Sequence, residues 1–151
     1  MKPLVVSIVV LVTAAALLGA SPATVGADPA VPVPFKGRAE YTLTYAAPDG
    51  SVLVYNGTGH ATHLGLFTAD ASLFPHGDGS RFSATATFTA ANGDQLFLIA
   101  EGAFTSPTSV VGTATITGGT GRFEGATGDA DFVDITSIVL VDQTFEGTIQ
   151  F

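Results

Sequence analysis

Residues 81–90 read Arg-Phe-Ser-Ala-Thr-Ala-Thr-Phe-Thr-Ala. In an extended chain successive side chains point to opposite faces, so Phe82, Ala84, Ala86, Phe88 and Ala90 make one apolar face, and Arg81, Ser83, Thr85, Thr87 and Thr89 make a polar one. A helix would scatter both sets around its circumference. The stretch is therefore a half-buried strand with core on one side and water on the other. Asn92-Gly93 follows, a hairpin signal because these residues adopt the left-handed backbone of a tight turn at low cost. It leads into a second strand over 95–104, where Leu96, Leu98 and Phe104 alternate with Phe97 and Ile99. Apolar residues on both faces predict cover on both sides.

The same alternation recurs between Gly, Pro, Asn and Asp clusters at 37–46, 51–61, 63–74, 110–117, 122–128, 131–141 and 144–151, and no window places apolar residues at helical spacing. The domain reads as all-β with eight or nine strands. Closing such a sheet removes the exposed edges that a sandwich must defend. Small residues between large ones on the inward faces, Ala84 and Ala86 between Phe82 and Phe88, and Gly147 between Phe145 and Ile149, suit the interior of a small barrel. The expectation is a closed antiparallel barrel of about eight strands. Arg122-Phe123-Glu124-Gly125 echoes Thr144-Phe145-Glu146-Gly147, which reads as two strands that each turn a Phe inward and a Glu outward and use Gly at a close approach.

The chain has 151 residues, 46% of them hydrophobic and only 12% charged, about the size of one domain and too apolar to be disordered. Its formal charge of −8 repels phosphate backbones and it has no basic stripe, so nucleic acid is excluded as a partner. Residues 1–27 carry Lys2, an apolar run from Leu4 to Leu18 shorter than a membrane span, and small residues at Ala20, Ala23 and Ala27, the pattern of a secretory signal cut after Ala27, with Ala20 and Ala23 as alternative sites. No stable membrane anchor remains after such a cut. The expected location is secreted: extracellular, periplasmic or in the cell wall. With Cys 0 in the sequence, the exported domain is held by its core and not by disulfides. Pro29, Pro32 and Pro34 make 28–35 an extended spacer, leaving 36–151 as the barrel.

Thr115-Ile116-Thr117-Gly118-Gly119-Thr120-Gly121-Arg122-Phe123-Glu124-Gly125-Ala126-Thr127-Gly128 resembles the Thr-Gly-Gly-(Ser/Thr)-Gly-x-Phe-x-Gly signature of the allene oxide cyclase and dirigent barrels. The resemblance covers about fourteen residues and implies a calycin-like eight-stranded barrel, commonly a homotrimer, with an apolar lumen. Plant members steer the cyclisation of a fatty-acid epoxide or the coupling of phenoxy radicals, and bacterial relatives with similar barrels include natural-product cyclases. On physical grounds Gly118, Gly119, Gly121 and Gly125 form a structural turn of positive φ or close backbone approach. Without a strand-to-helix context they carry no nucleotide signal. The family's catalytic positions find no residue-by-residue match in the early strands.

Candidate chemistry is sparse. His60 and His63, three apart on a strand, face opposite ways and form no chelate; His76 and Asp78 sit in a loop, so no metal is assigned. No cofactor is implied. There is no Cys and no Gly-x-Ser-x-Gly elbow for a nucleophile. Glu101, on a face with Phe97 and Ile99, and Asp134, on a face with Phe132, Ile138 and Leu140, are the candidates for a lumen acid of raised pKa, with His60 a third catalytic candidate. An outer-face carboxylate is the commoner placement. Tyr41, Tyr45, Asn56 and His60 are the polar side chains of early strands that could orient a molecule beside such an acid, with Phe82 and Phe88 lining its apolar part. Asn56-Gly57-Thr58 matches a glycosylation acceptor, and a Gly-rich strand explains it equally well.

The leading expectation is a secreted barrel binding a small apolar or amphipathic molecule in its lumen. The alternatives are a cyclase or isomerase that folds a polyene or epoxide there, and a filled barrel that binds other proteins through its outer faces. Lumen volume and a buried carboxylate facing it discriminate among the three.

Overall fold

A computed structural model describes residues 30–137 and 139–151. Eight antiparallel strands close into a barrel in sequence order: β1 (Val33–Ala46), β2 (Leu53–Ala61), β3 (Gly65–His76), β4 (Arg81–Ala90), β5 (Gln95–Ser106), β6 (Ser109–Gly119), β7 (Thr127–Thr136) and β8 (Leu140–Gln150), with β8 pairing back onto β1. The proposed signal over 1–27 and the first two residues of the spacer, 28 and 29, lie outside the described residues.

The face assignment for 81–90 holds. Phe82, Phe88 and Ala90 are buried and Ala84 and Ala86 are half-buried inside the barrel, while Arg81 and Thr85 are exposed outside it. The Asn92-Gly93 hairpin is present, with Gly93 at φ 89. The double cover expected of β5 is absent from the single chain: Leu96 and Leu98 are buried, but Ile99 on the outer face is 51% exposed.

Three boundaries differ from the sequence reading. Of the expected strand over 122–128, residues 122–126 are not strand; a single 3-10 turn, Gly121–Phe123, drops Phe123 into the end of the barrel, and β7 starts at Thr127. The expected strand over 131–141 is cut by a turn in which Ser137 bonds Leu140 through its amide and its hydroxyl. That turn has none of the Gly, Pro, Asn or Asp residues that betray turns in a sequence. Leu140 consequently opens β8 on its outer face, 55% exposed, and does not share a face with Asp134; Ile138 lies outside the described residues. β1 begins at Val33, inside the spacer. Val33–Lys36 pairs with β8 alone, so Pro34, which lacks an N–H, sits where no partner on its other side needs one, and Thr62 bridges the gap by bonding the Lys36 amide and the Pro34 carbonyl.

A cross-strand pattern packs the interior. Tyr41 faces Gly57, Phe67 faces Gly59, Phe82 faces Gly102, Phe132 faces Gly112 and Phe145 faces Gly37, each directly opposite in register, and a Cβ on any of these glycines would collide with the opposing ring. Each ring lies over bare backbone, which lets eight inward-facing strands fit aromatic side chains without swelling. Phe67 stacks on Phe88 at 4.5 Å between ring centres, and Phe88 reaches Phe145 at 6.0 Å and Phe145 reaches Phe35 at 5.1 Å.

The two ends differ. Where β1 starts, Phe35, Ala61, Leu64, Leu96, Phe123, Ala126 and Ile149 are all 3% exposed or less and plug the barrel. Arg122 ties that plug together: its guanidinium lies over the Phe123 ring, sits 3.6 Å from Asp94 and reaches the Leu64 carbonyl at 3.5 Å. At the other end, where β1, β3, β5 and β7 finish, the inward-facing Tyr55, Leu73 and Val141 are only half-buried. This end is open.

Candidate functional site

Inside the open half lies a cavity of about 90 Å³. One wall is alanine: Ala71 on β3, Ala84 and Ala86 on β4, Ala100 on β5 and Ala114 on β6. The facing wall carries Phe132 and Asp134 from β7, Gln143 and Phe145 from β8 and Tyr41 from β1. Alternation places them: Asp134 is two residues from Phe132 and Gln143 two from Phe145, so both point inward with those rings. A wider concavity of about 650 Å³ lies on the outer wall over Arg38, Glu40, Thr58, His60 and Leu66, but these side chains are exposed and the depression is shallow. The lumen is the enclosed site.

Asp134 is 6% exposed, and its Oδ1 has no hydrogen-bond partner. Burial, which disfavours a charge away from water, pushes its pKa up to about 6, and a hydrogen bond from Gln143 offsets part of that rise. The Tyr41 hydroxyl donates to Gln143 Oε1 at 3.2 Å. Gln143 is thereby oriented at both ends of its amide, with its oxygen taken by Tyr41 and its nitrogen turned to Asp134. Burial first, and then the nearby Asp134 charge, raise the pKa of Tyr41 and of Tyr55, so both phenols stay protonated. The arrangement offers one free carboxylate oxygen inside an apolar cage.

The structure gathers Asp134, Tyr41, Phe82 and Phe88 around the lumen and separates the other candidates from it. Glu101 is exposed on the outer face of β5, opposite Ser83 and Thr113, because inward positions on that strand belong to Leu98, Ala100 and Gly102. His60 and Asn56 point outward from β2; His60 stands opposite Arg38, and Asn56 donates to Asp70 on β3. Tyr45 has the same parity as Tyr41, but a bulge between Leu43 and Tyr45 flips it outward, where it is 55% exposed. His63 occupies the β2–β3 turn at φ 63 with its ring edge-on to Phe151, and His76 ends β3 beside Ser83. Among the described residues no three metal-ligating side chains come together.

Gly118, Gly121 and Gly125 have φ of 147, 58 and 74, the conformations expected of a glycine turn. Gly119 has no positive φ; it is required because a Cβ there would strike the Gln95 carbonyl and Phe123. In the echoed segments both Phe123 and Phe145 are buried and both Glu side chains are exposed, but Phe123 comes from the 3-10 turn. Gly147 meets the backbone of Asp129 and Ala130, while Gly125 faces open space.

Sequence reasoning missed Gln143 and Tyr55. Gln143 shares parity with Phe145 and Ile149, and starting the last strand at 144 left it out. Tyr55 shares parity with Gly57, Gly59 and Ala61, the small side of β2 that accommodates opposing rings.

No family model and no curated protein matches the sequence. Among solved structures, the chain is similar to a pterocarpan synthase dirigent protein, with a TM-score of 0.60 and 16% identity across 91% of this chain and 100% of that one. The likeness is one of fold: the chain forms a dirigent-like eight-stranded barrel.

Proposed function

We propose that the barrel is an exported small-molecule-binding protein whose occupant enters at the open end, lies against the alanine wall and meets Asp134. The observation that carries this reading is empty apolar space beside an unpartnered buried acceptor. A core built for packing alone fills such space, because a void forfeits contacts and a buried acceptor without a partner costs about 1–3 kcal/mol. Both liabilities sit side by side at the reachable end of the barrel. An occupant with an apolar body and a hydrogen-bond donor removes both.

Volume limits the occupant. Pockets for drug-sized ligands span roughly 300–1,000 Å³ and an engineered apolar cavity of about 150 Å³ takes benzene, against about 90 Å³ here. The lumen suits a molecule of a few non-hydrogen atoms, or the buried end of a longer one whose remainder emerges at the mouth. The cyclase alternative has the apolar setting of Asp134 in its favour, since a raised pKa suits a proton donor. A lumen this small does not fold a polyene back on itself. Export rests on residues 1–27. Association with further copies, as the resemblance implies, is supported by Ile99 and by the exposed neighbours Val111 and Val133, which face each other across β6 and β7 on the outer wall.

Native mass spectrometry of protein purified from its own host tests the reading. A bound small molecule is expected on the parent and not on Ala86→Leu, which fills the cavity. A bare parent whose lumen alanine methyls also stay unmoved in 1-propanol overturns it.

A further inference from the structure

The charges of the barrel specify the donor. Asp134 is the only carboxylate among the residues lining the lumen, and none of those residues is Lys, Arg or His. The described residues include four Lys and Arg side chains, none of which lines the lumen: Lys36 pairs with Glu146 at 2.6 Å, Arg38 with Asp142 at 4.0 Å and Arg122, in the plug, with Asp94 at 3.6 Å, and Arg81 is exposed at the start of β4. Among the described residues no side chain supplies a counter-cation to Asp134. Tyr41 donates to Gln143, Gln143 bonds the Asp134 side chain, and Oδ1 has no partner. A buried carboxylate without a cation is a costly arrangement, and a neutral hydroxyl would fill the vacant lone pair without cancelling the charge. The rings of Tyr41, Phe82 and Phe132, of a type whose faces attract a cation, line the same cavity as the acid, and the alanine wall accepts an alkyl group.

We infer that the lumen selects a small protonated alkylamine, with its ammonium on Asp134 Oδ1 and its alkyl group against Ala84, Ala86 and Ala100. The inference rests on the reading of the lumen as a small-molecule site and adds the charge of the ligand. It also predicts how binding depends on pH. From the strands packed around Asp134 the facing groups are Val110 on β6, Gln143 and Val141 on β8, Tyr41 on β1 and Tyr55 on β2. Both tyrosines remain neutral, so the carboxyl is the lumen group that changes charge between pH 5 and pH 8.

The test compares propylammonium with 1-propanol, which have the same shape and differ in charge, in NMR titrations of the protein labelled at its alanine methyls. In the parent at pH 7.5, propylammonium is expected to bind at least tenfold more tightly than 1-propanol and to shift Ala84, Ala86 and Ala100. The advantage should fall about tenfold at pH 5, an arm that needs no substitution. It should vanish in Asp134→Asn, which keeps its propanol affinity, and persist in Glu101→Gln on the outer face. Equal affinities of the two ligands in the parent, or an ammonium preference that survives Asp134→Asn, overturn the inference while leaving the lumen as a site for neutral molecules. If neither ligand moves a lumen methyl, the small-molecule reading falls with it.

Discussion

One carboxyl group, Asp134, couples the stability of the barrel to pH in an unusual direction. Burial raises its pKa from 3.8 to about 6, so between those values the folded chain holds a proton that the unfolded chain has released. Stability from this group is therefore greatest below about pH 4 and is lost as pH rises through 6, by about 3 kcal/mol in all. Asp134→Asn removes the titration. Urea unfolding should show the difference between variant and parent moving in favour of Asn by about that amount from pH 4 to pH 7, and a difference independent of pH would mean the carboxyl is solvated. Asp134 was legible in the sequence as an acid sharing a face with Phe132. Its partner Gln143 was not, because a glutamine between Asp142 and Thr144 reads as surface until the first residue of β8 is known.

At the scale of strands and turns, the paired glycines and rings explain why so Gly-rich a sequence packs a barrel. Gly112→Ala would push a methyl into the Phe132 ring and the Glu101 carbonyl. Overpacking of this kind costs about 1–3 kcal/mol, whereas Thr113→Ala next to it on the outer face should stay within about 0.5 kcal/mol. Thermal unfolding of the two variants separates them, and equal melting temperatures would contradict the register. In the glycine turn, Gly121→Val meets both a positive φ of 58 and the Asp94 carboxylate, so it should cost at least about 1 kcal/mol, and Thr120→Ser, which keeps the hydroxyl that accepts from Gln95, should be nearly neutral. Strands flanked by Asn-Gly, Pro-Asp-Gly or Gly-Asp-Gly were readable because those residues are needed for the turn itself. The β7–β8 turn was not readable. It is held by Ser137 and by the pairing of two strands that only the closed sheet brings together.

For the whole molecule, alternation that is clearest in 81–90 and recurs along the chain predicted an all-β fold, and the need to hide edges, with small residues between large ones on the inward faces, predicted closure. What alternation could not give was how much of the interior its own side chains fill, since that depends on the strand register that sets each ring over its glycine. Phe88 is buried at the cavity wall and stacks on Phe67, so Phe88→Ala should cost about 3–5 kcal/mol, while Thr85→Ala on the exposed outer face should cost little. Ala86→Leu, which enters the open half, should change stability by less than about 1 kcal/mol and abolish binding, whereas a solid core would be overpacked by it. The most direct test of a reachable apolar lumen is NMR of the alanine methyls under xenon pressure, because xenon enters dry apolar cavities whatever the natural occupant. The account predicts saturable shifts at Ala71, Ala84, Ala86, Ala100 and Ala114 and none at the exposed Ala46 and Ala91. Unmoved lumen methyls, or shifts confined to the outer surface, would contradict it.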